Sequence, residues 1–391
     1  MNNLQSERVP VTASRTPAIL VLGDGTTFPG FAFGAEGTTL GEAVFTTAMT
    51  GYQESMTDPS FHRQILVTTA PQIGNTGWND EDNESRDGQI WVAGLVIRDL
   101  SKRVSNWRAE RSLEDEMKKQ GIIGIGGVDT RTIVRHIRNF GSVPAGIFSG
   151  DDATKDVQEL VDKVNAQPSM EGADLATEVS TKEPYTIEAT AEKRYTVVAY
   201  DMGIKSATPN HFASRGIETI VVPANTPVTE IEQYKPDGVF ISNGPGDPAT
   251  ADVMVGITRE IIAQEIPLFG ICFGNQILGR ALGLSTYKMK FGHRGINVPV
   301  KNHLTGKIDI TSQNHGFALE GEAGQKFDTD FGRAVVTHTC LNDDVVEGVA
   351  LENGMAYSVQ YHPESAAGPH DANPLFDQFI ELMDKFSPNK K

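Results

Sequence analysis

Cysteine is nearly missing from this sequence. Only Cys272 and Cys340 occur in 391 residues, too few for a disulfide framework, and a reduced cytosolic (cytoplasmic) setting fits. Long apolar runs are missing too. Nothing approaches the roughly 18 residues that a membrane span needs. Positive charge is scarce, with 34 Lys and Arg against 51 Asp and Glu, a net charge of −17. That balance argues against a nucleic-acid binder, which would carry a basic face. The chain has no Gly-Lys-Thr phosphate loop and no paired Cys/His ligands, so neither a nucleotide nor a metal site of its own is expected. The first 15 residues lack an apolar core of the signal-peptide kind and are expected to form a disordered tail. What remains is ordinary for a soluble globular protein: 39% hydrophobic and 22% charged residues, long enough for two or three domains.

The rhythm of the chain changes twice. Residues 16–150 read as a mainly β domain. Short strands are predicted at Ala18–Leu22, Thr27–Phe33, Glu42–Thr46, Gln64–Thr69 and Ile90–Ile97, separated by Gly, Pro and Asn. Two helices follow, about Leu113–Lys119 and Thr130–Arg138, the second capped by Asp129. Residues 151–194 are acidic and small, with one amphipathic helix near Lys155–Asn165, and read as a linker. From Tyr195 to the end at 391, apolar runs alternate with helical spacings. That pattern predicts an α/β domain whose mixed, mostly parallel sheet is flanked by helices. Its later part, Ile296–Val359, is richer in strands, and a last helix covers about Pro374–Phe386.

One stretch carries the chemistry. Pro267 to Ile271 reads as a buried strand, and Gln276, Ile277, Leu278, Ala281 and Leu282 follow at helical spacing. Cys272 stands at the junction, with Gly270 and Gly274 two residues to either side. This is the layout of a nucleophile elbow, with Cys in place of Ser. A cysteine there faces the positive end of a helix dipole, and the N–H groups after it are free to hold an oxyanion. A thiolate needs a base, and the base an orienting group. His362 and Glu364 leave the strand Met355–Val359 two residues apart, with Pro363 bending the chain between them. Residues two apart in an extended stretch point the same way, so Glu364 can hold the imidazole of His362. The Gly244-Pro245-Gly246 loop after the preceding strand offers further backbone N–H groups. Cys340 falls in an ordinary strand.

The elbow around Cys272, the loop Asn243–Pro248 and His362-Pro363-Glu364 resemble the class I, triad-type glutamine amidotransferases over roughly Tyr195 to Phe386. The first half is similar to the amino-terminal domain of the small-subunit family of carbamoyl phosphate synthases. The similarity lies in Gly41–Glu54, Thr57–Pro59, Pro71–Asn75, Gly127–Arg131 and, further on, Gln313–Phe317. The resemblance implies Cys272 as nucleophile, His362 as base and acid, and Glu364 as orienter. It implies that Gly244 and Gly246 hold substrate and oxyanion, and that Phe273, Gln276, Asn314, Gly316 and Phe317 contact L-glutamine. Ala48 stands where many members have Ser, so a contact there would come from the backbone. Phe273 stands where some have Leu. The resemblance further implies that ammonia passes to a large subunit, which holds ATP and Mg and makes carbamoyl phosphate. The N-terminal domain is expected to dock that partner and to carry no catalytic group. An amidotransferase serving an anthranilate or guanylate synthase, or a non-catalytic relative, remains the alternative at this point.

Overall fold

The computed structural model describes residues 15–390, so the expected tail at 1–15 lies almost entirely outside the described residues. Seven strands close a barrel in the first domain. In chain order they are β1 (Pro17–Leu22), β2 (Thr27–Gly34), β3 (Thr38–Thr46), β4 (Gln64–Thr68), β6 (Gly94–Val96), β8 (Ile123–Gly126) and β9 (Val143–Ser149). Two short strands, β5 (Gln72–Ile73) and β7 (Asp99–Leu100), pair outside it. The barrel order is β1-β2-β8-β6-β4-β3-β9, so β4 sits inside a parallel run. Both faces of β4 are covered: Leu66 packs with Val44, Phe61 and Trp78, while Ile65 and Val67 pack with Leu20, Ala43 and Ile147. That is why Gln64–Thr68 reads as an unbroken apolar run instead of alternating.

The segment Ile90–Ile97 pairs as a strand only over Gly94–Val96. The amides of Trp91 and Val92 are taken by the Met56 carbonyl, at 2.8 and 3.4 Å. That carbonyl belongs to a six-residue helix, Tyr52–Thr57, which is too short to show a period in the sequence. The helix Thr130–Phe140 starts where expected, with the Asp129 side chain accepting from the Thr132 N–H at 3.1 Å.

The segment 151–194 is not a free connector. The helix Val157–Asn165 buries Leu160, Val161 and Val164 against Val21 and Phe148 of the barrel. Further on, β10 (Tyr185–Ile187) joins the second domain as an edge strand. The Thr181 N–H donates to Asp201 at 2.8 Å. Acidic composition suggested a solvated stretch; three apolar side chains at helical spacing outweigh it.

The second domain is built on an eleven-stranded mixed sheet. Its strands after β10 are β11 (Tyr195–Asp201), β12 (Ile217–Pro223), β13 (Gly238–Ile241), β14 (Leu268–Ile271), β15 (Thr286–Asn302), β16 (Ile308–Leu319), β17 (Lys326–Thr329), β18 (Gly332–Cys340), β19 (Val346–Leu351) and β20 (Ala356–Val359). The order is β10-β12-β11-β13-β14-β20-β19-β16-β15-β18-β17. The parallel part is its middle, β12-β11-β13-β14-β20, buried on both faces. From β19 to β17 the pairing is antiparallel. Parallel strands end on one side, and the loops that leave β11, β13, β14 and β20 there gather the chemistry. No helix among the described residues is long and apolar enough to cross a membrane.

Candidate active site

The nucleophile elbow is formed as the glycines require. Cys272 has φ 54 and ψ −100, a conformation sparsely populated for a side chain with a Cβ, costing on the order of 1–3 kcal/mol. Its N–H donates to the Val359 carbonyl at 2.9 Å, tying the elbow to β20. The helix Phe273–Ala281 starts immediately after it. The helix runs back so close to the sheet that Gly270 and Gly274 have no room for a side chain. A Cβ on Gly270 would lie 2.7 Å from the Gly274 carbonyl oxygen, and one on Gly274 would strike the Ile241 carbonyl.

This gives a stability test. Alanine is the better helix former by roughly 0.5–1 kcal/mol, but the Ile241 carbonyl is strand backbone and cannot rotate aside. Gly274→Ala is therefore expected to destabilise the protein by about 1–3 kcal/mol in a denaturant titration, the usual range for overpacking. A variant as stable as the parent would show that close approach is not what demands glycine there.

His362 and Glu364 come together as predicted. His362 Nδ1 and Glu364 Oε1 lie 2.7 Å apart, both residues buried. The other ring nitrogen, Nε2, is buried without a hydrogen-bond partner, and Cys272 is near enough to contribute to the imidazole's raised pKa. The thiol also donates to the Asn314 carbonyl at 3.5 Å. Burial by itself would lower the His362 pKa. The Glu364 charge and the thiol outweigh it and raise the imidazole to about 10. Burial would likewise raise Glu364, but Lys205 and His362 pull it down to about 2. The resting arrangement thus favours an imidazolium held against a carboxylate.

Six of the expected glutamine contacts, Gly244, Gly246, Gln276, Asn314, Gly316 and Phe317, line the same cavity as Cys272. Gln276 is already held, its Nε2 donating to the Phe317 carbonyl at 2.9 Å and to Gln360 at 3.2 Å. Gly246 has φ +97, so its turn needs glycine. Ala48 lines an adjoining recess with His362 and Asn314 and is absent from the lining of the Cys272 cavity. The Phe273 ring packs into the core with Ile241, Ile277 and Leu278. Its contribution is confined to the main chain, where the first N–H of a helix has no acceptor within the helix.

The structure adds residues that the sequence did not mark. Lys205, on the loop after β11, places Nζ 3.3 Å from Glu364 Oε1 and 3.8 Å from Glu84 Oε2. Burial opposes its charge, but the two carboxylates hold its pKa well above the usual lysine value. Burial raises Glu84 to about 8 against the pull of Lys205. Glu84 belongs to the first domain, and so do two more neighbours of the site. Asn314 Nδ2 donates to Asp58 at 2.9 Å, and Asn243 Nδ2 to Ser60 at 3.0 Å. Of the first domain the sequence points only to Ala48 at the site; Glu84, Asp58 and Ser60 are additions. A chain starting near Glu192 would lose these three contacts and the edge strand β10. Lys205 had a usable signal, a polar residue just past a parallel strand's C-terminal end. Asp58, Ser60 and Glu84 had none, because no local pattern says which residues of one domain face another.

His293, His315 and Glu347 bring potential ligand atoms within 4.8 Å of one another. Both ring nitrogens of His293 are already engaged, with Glu347 at 3.2 Å and Asp343 at 2.8 Å. His293 is thus held as an ion pair between two carboxylates, while His315 Nε2 lies 3.8 Å from Glu347 without a hydrogen bond.

Two family models match the chain. Residues 20–147 match the carbamoyl-phosphate synthase small chain, CPSase domain, and residues 197–382 match the class-I glutamine amidotransferase. The carbamoyl phosphate synthase small chain of Corynebacterium efficiens is 72% identical over 390 residues, covering 100% of this chain and 98% of that one. That of Corynebacterium diphtheriae is 75% identical over 377 residues, 96% of this chain and 99% of its own. The Mycobacterium tuberculosis protein of the same name is 64% identical over 369 residues, 94% and 98% of the two chains. With the barrel, the amidotransferase sheet and the full-length similarity together, the chain belongs to the carbamoyl phosphate synthase small chain family.

Proposed function

We propose that this chain is the glutaminase subunit of a cytoplasmic carbamoyl phosphate synthase, with Cys272, His362 and Glu364 as its catalytic triad. The observation that carries the reading is the alignment of thiol, imidazole and carboxylate, with 2.7 Å between His362 Nδ1 and Glu364. The Cys272 thiolate attacks the side-chain carbonyl of L-glutamine. The tetrahedral oxyanion is held by the N–H groups of Phe273 and Gly244. His362 gives its proton to the leaving ammonia, and a thioester remains on Cys272. His362 then takes a proton from water, which attacks the thioester and releases glutamate. Glu364 holds the ring and balances the imidazolium, and Lys205 holds Glu364.

The ammonia passes to a large partner subunit that holds ATP and Mg and makes carbamoyl phosphate from bicarbonate, for arginine and pyrimidine synthesis. This chain needs no cofactor of its own for the hydrolysis. The barrel domain favours this partner over an anthranilate or guanylate synthase, and the assembled triad favours catalysis over a purely binding role. The barrel both docks the partner and completes the site through Asp58, Ser60 and Glu84. The test is co-purification from the native cell, followed by synthesis with amide-¹⁵N-glutamine in the presence of unlabelled ammonia. Labelled carbamoyl phosphate from a complex of this chain with a large ATP-binding subunit is the expected result. Label found only in free ammonia would refute the coupling.

A further inference from the structure

Two histidines and a glutamate meet on neighbouring strands with no short spacing to mark them. His293 on β15 stands directly opposite His315 on β16, and Glu347 comes from β19. The His315 Nδ1 lies 2.8 Å from the Phe317 carbonyl, which can only accept, so Nδ1 carries the ring proton. A proton on Nε2 would have no acceptor within hydrogen-bond range, so Nε2 is the bare lone pair of a neutral ring. That atom belongs to a side chain 1% exposed and lies 3.8 Å from Glu347 Oε1. Two buried acceptors therefore face each other. The same Oε1 lies 3.2 Å from His293 Nδ1, and the two imidazole rings are nearly perpendicular, at 84°. The outer atoms of the trio are taken. His293 Nε2 lies 2.8 Å from Asp343, and Glu347 Oε2 accepts from Gln313 Nε2 at 2.9 Å.

We propose that His293 Nδ1, His315 Nε2 and Glu347 Oε1 bind a divalent cation of the zinc class. Two imidazole nitrogens and a carboxylate oxygen are a set that zinc takes with a fourth position open. Zinc bonded at about 2.0–2.1 Å holds tetrahedral ligand atoms about 3.3 Å apart. The separations of 3.2 and 3.8 Å bracket that value, and all three atoms lie within 4.8 Å of one another. Histidine ligands ordinarily donate their other N–H to a carbonyl or carboxylate, and ligating carboxylates are themselves hydrogen-bonded. Phe317, Asp343 and Gln313 fill those three roles. The charges also close. The cation takes the place of the His293 Nδ1 proton, which leaves to solvent, and the charges of Glu347 and Asp343 balance its two. The exposed Asp343 side chain marks the way in. Once bound, the ion ties β15, β16 and β19 together. β16 also carries Asn314, and the Glu347 carbonyl accepts from the Gln360 N–H at 2.8 Å, two residues before His362. The competing reading is a plain ion pair of His293 between two carboxylates, with His315 Nε2 left bare.

The full chain is stripped with EDTA, dialysed free of chelator and titrated with zinc chloride by calorimetry, in buffers of different ionisation enthalpy. A single zinc ion per chain is expected, with about one proton released and a raised Tm. His315→Asn keeps an amide donor for the Phe317 carbonyl and removes Nε2. It and Glu347→Gln should each weaken binding by more than the ~10–100-fold that loss of an outer partner costs, and Asp343→Asn by about that amount. Circular dichroism of the zinc-free variants separates lost binding from lost fold. If His315→Asn does not fold, Glu347→Gln, close in shape to the parent, carries the same reading. Cys272→Ala is titrated alongside, because a thiol near an imidazole also takes zinc. Binding that Cys272→Ala keeps and His315→Asn loses supports the site. Binding that His315→Asn keeps, or that Cys272→Ala loses, overturns it. So does binding that Cys340→Ala loses, since Cys340 and Asp343 form a rival set with His293. A parent that takes up no zinc overturns the proposal whether or not the variants fold. The glutaminase reading is measured separately, by ammonia release, and stands or falls without this site.

Discussion

Cys272→Ala is expected to lower glutamine-dependent synthesis by about 10⁴–10⁶, the scale on which removing a nucleophile acts, while ammonia-dependent synthesis by the complex is unchanged. The side chain lost is small and 2% exposed. The strained φ of 54 does not depend on the sulfur, and alanine can occupy it as cysteine does. The fold and the partner's own chemistry should therefore persist, and the loss should be chemical. Cys340→Ala is the control. Cys340 is fully buried in β18, its sulfur accepts from the Asn342 N–H at 3.4 Å, and burial pushes its thiol up to about 12. It is inert at neutral pH, and its loss should leave the glutaminase rate near that of the parent. Both rates come from ammonia and carbamoyl phosphate assays on the same complex. Glutamine turnover surviving in Cys272→Ala would end the assignment.

His362→Asn is expected to cost at least the ~10²–10⁴ typical of lost general acid–base catalysis, because the ring moves a proton in both half-reactions. Glu364→Gln should cost less in kcat, since Glu364 moves no proton. The structure adds a second effect for Glu364. It also holds Lys205, so the glutamine variant removes the nearer of that buried ammonium's two ion-pair partners and should lose stability as well as rate.

The pH dependence has a definite sign. The His362 pKa is raised to about 10 in the folded protein from about 6.5. Its stabilising contribution is complete below about 6.5 and is lost as pH rises through about 10. Glu364 is depressed to about 2 from an ordinary value near 4.3. Its contribution is present above that value and is lost as pH falls toward 2. The parent should therefore keep its imidazolium across neutral pH, and the alkaline limb of kcat/KM should fall well above 6.5. An alkaline limb near 6.5, or a Glu364→Gln enzyme as slow as His362→Asn with an intact fold, would contradict this division of roles.

The grouping of Cys272, His362 and Glu364 was legible in the sequence because each is marked locally. Cys272 carries its glycine frame, and His362 and Glu364 carry the spacing that lets one strand end present both. The parallel strands were legible because burial on both faces writes them as apolar runs, as in Val239-Phe240-Ile241 and Leu268-Phe269-Gly270-Ile271. The six-residue helix at Tyr52 and the strand at Tyr185 were not, because elements that short are held by their neighbours and not by a period of their own. The acidic stretch at 151–194 misled for a related reason. Its exposed acids dominate the composition, while Leu160, Val161 and Val164 alone decide where the helix packs.

What the sequence by itself marked is a candidate nucleophile with its base and orienting group, an elbow cysteine and a histidine and glutamate at a strand end; its resemblance to the amidotransferases supplied the substrate. What only the tertiary structure decided is the surroundings of that reaction. Glu84, Asp58 and Ser60 reach the site across a domain boundary, and Lys205 is placed between two carboxylates. Local spacing can align residues on one strand or helix, because covalent geometry carries the information. Which buried charge meets which depends on how two separately patterned domains close on each other, and no periodicity in either one records that.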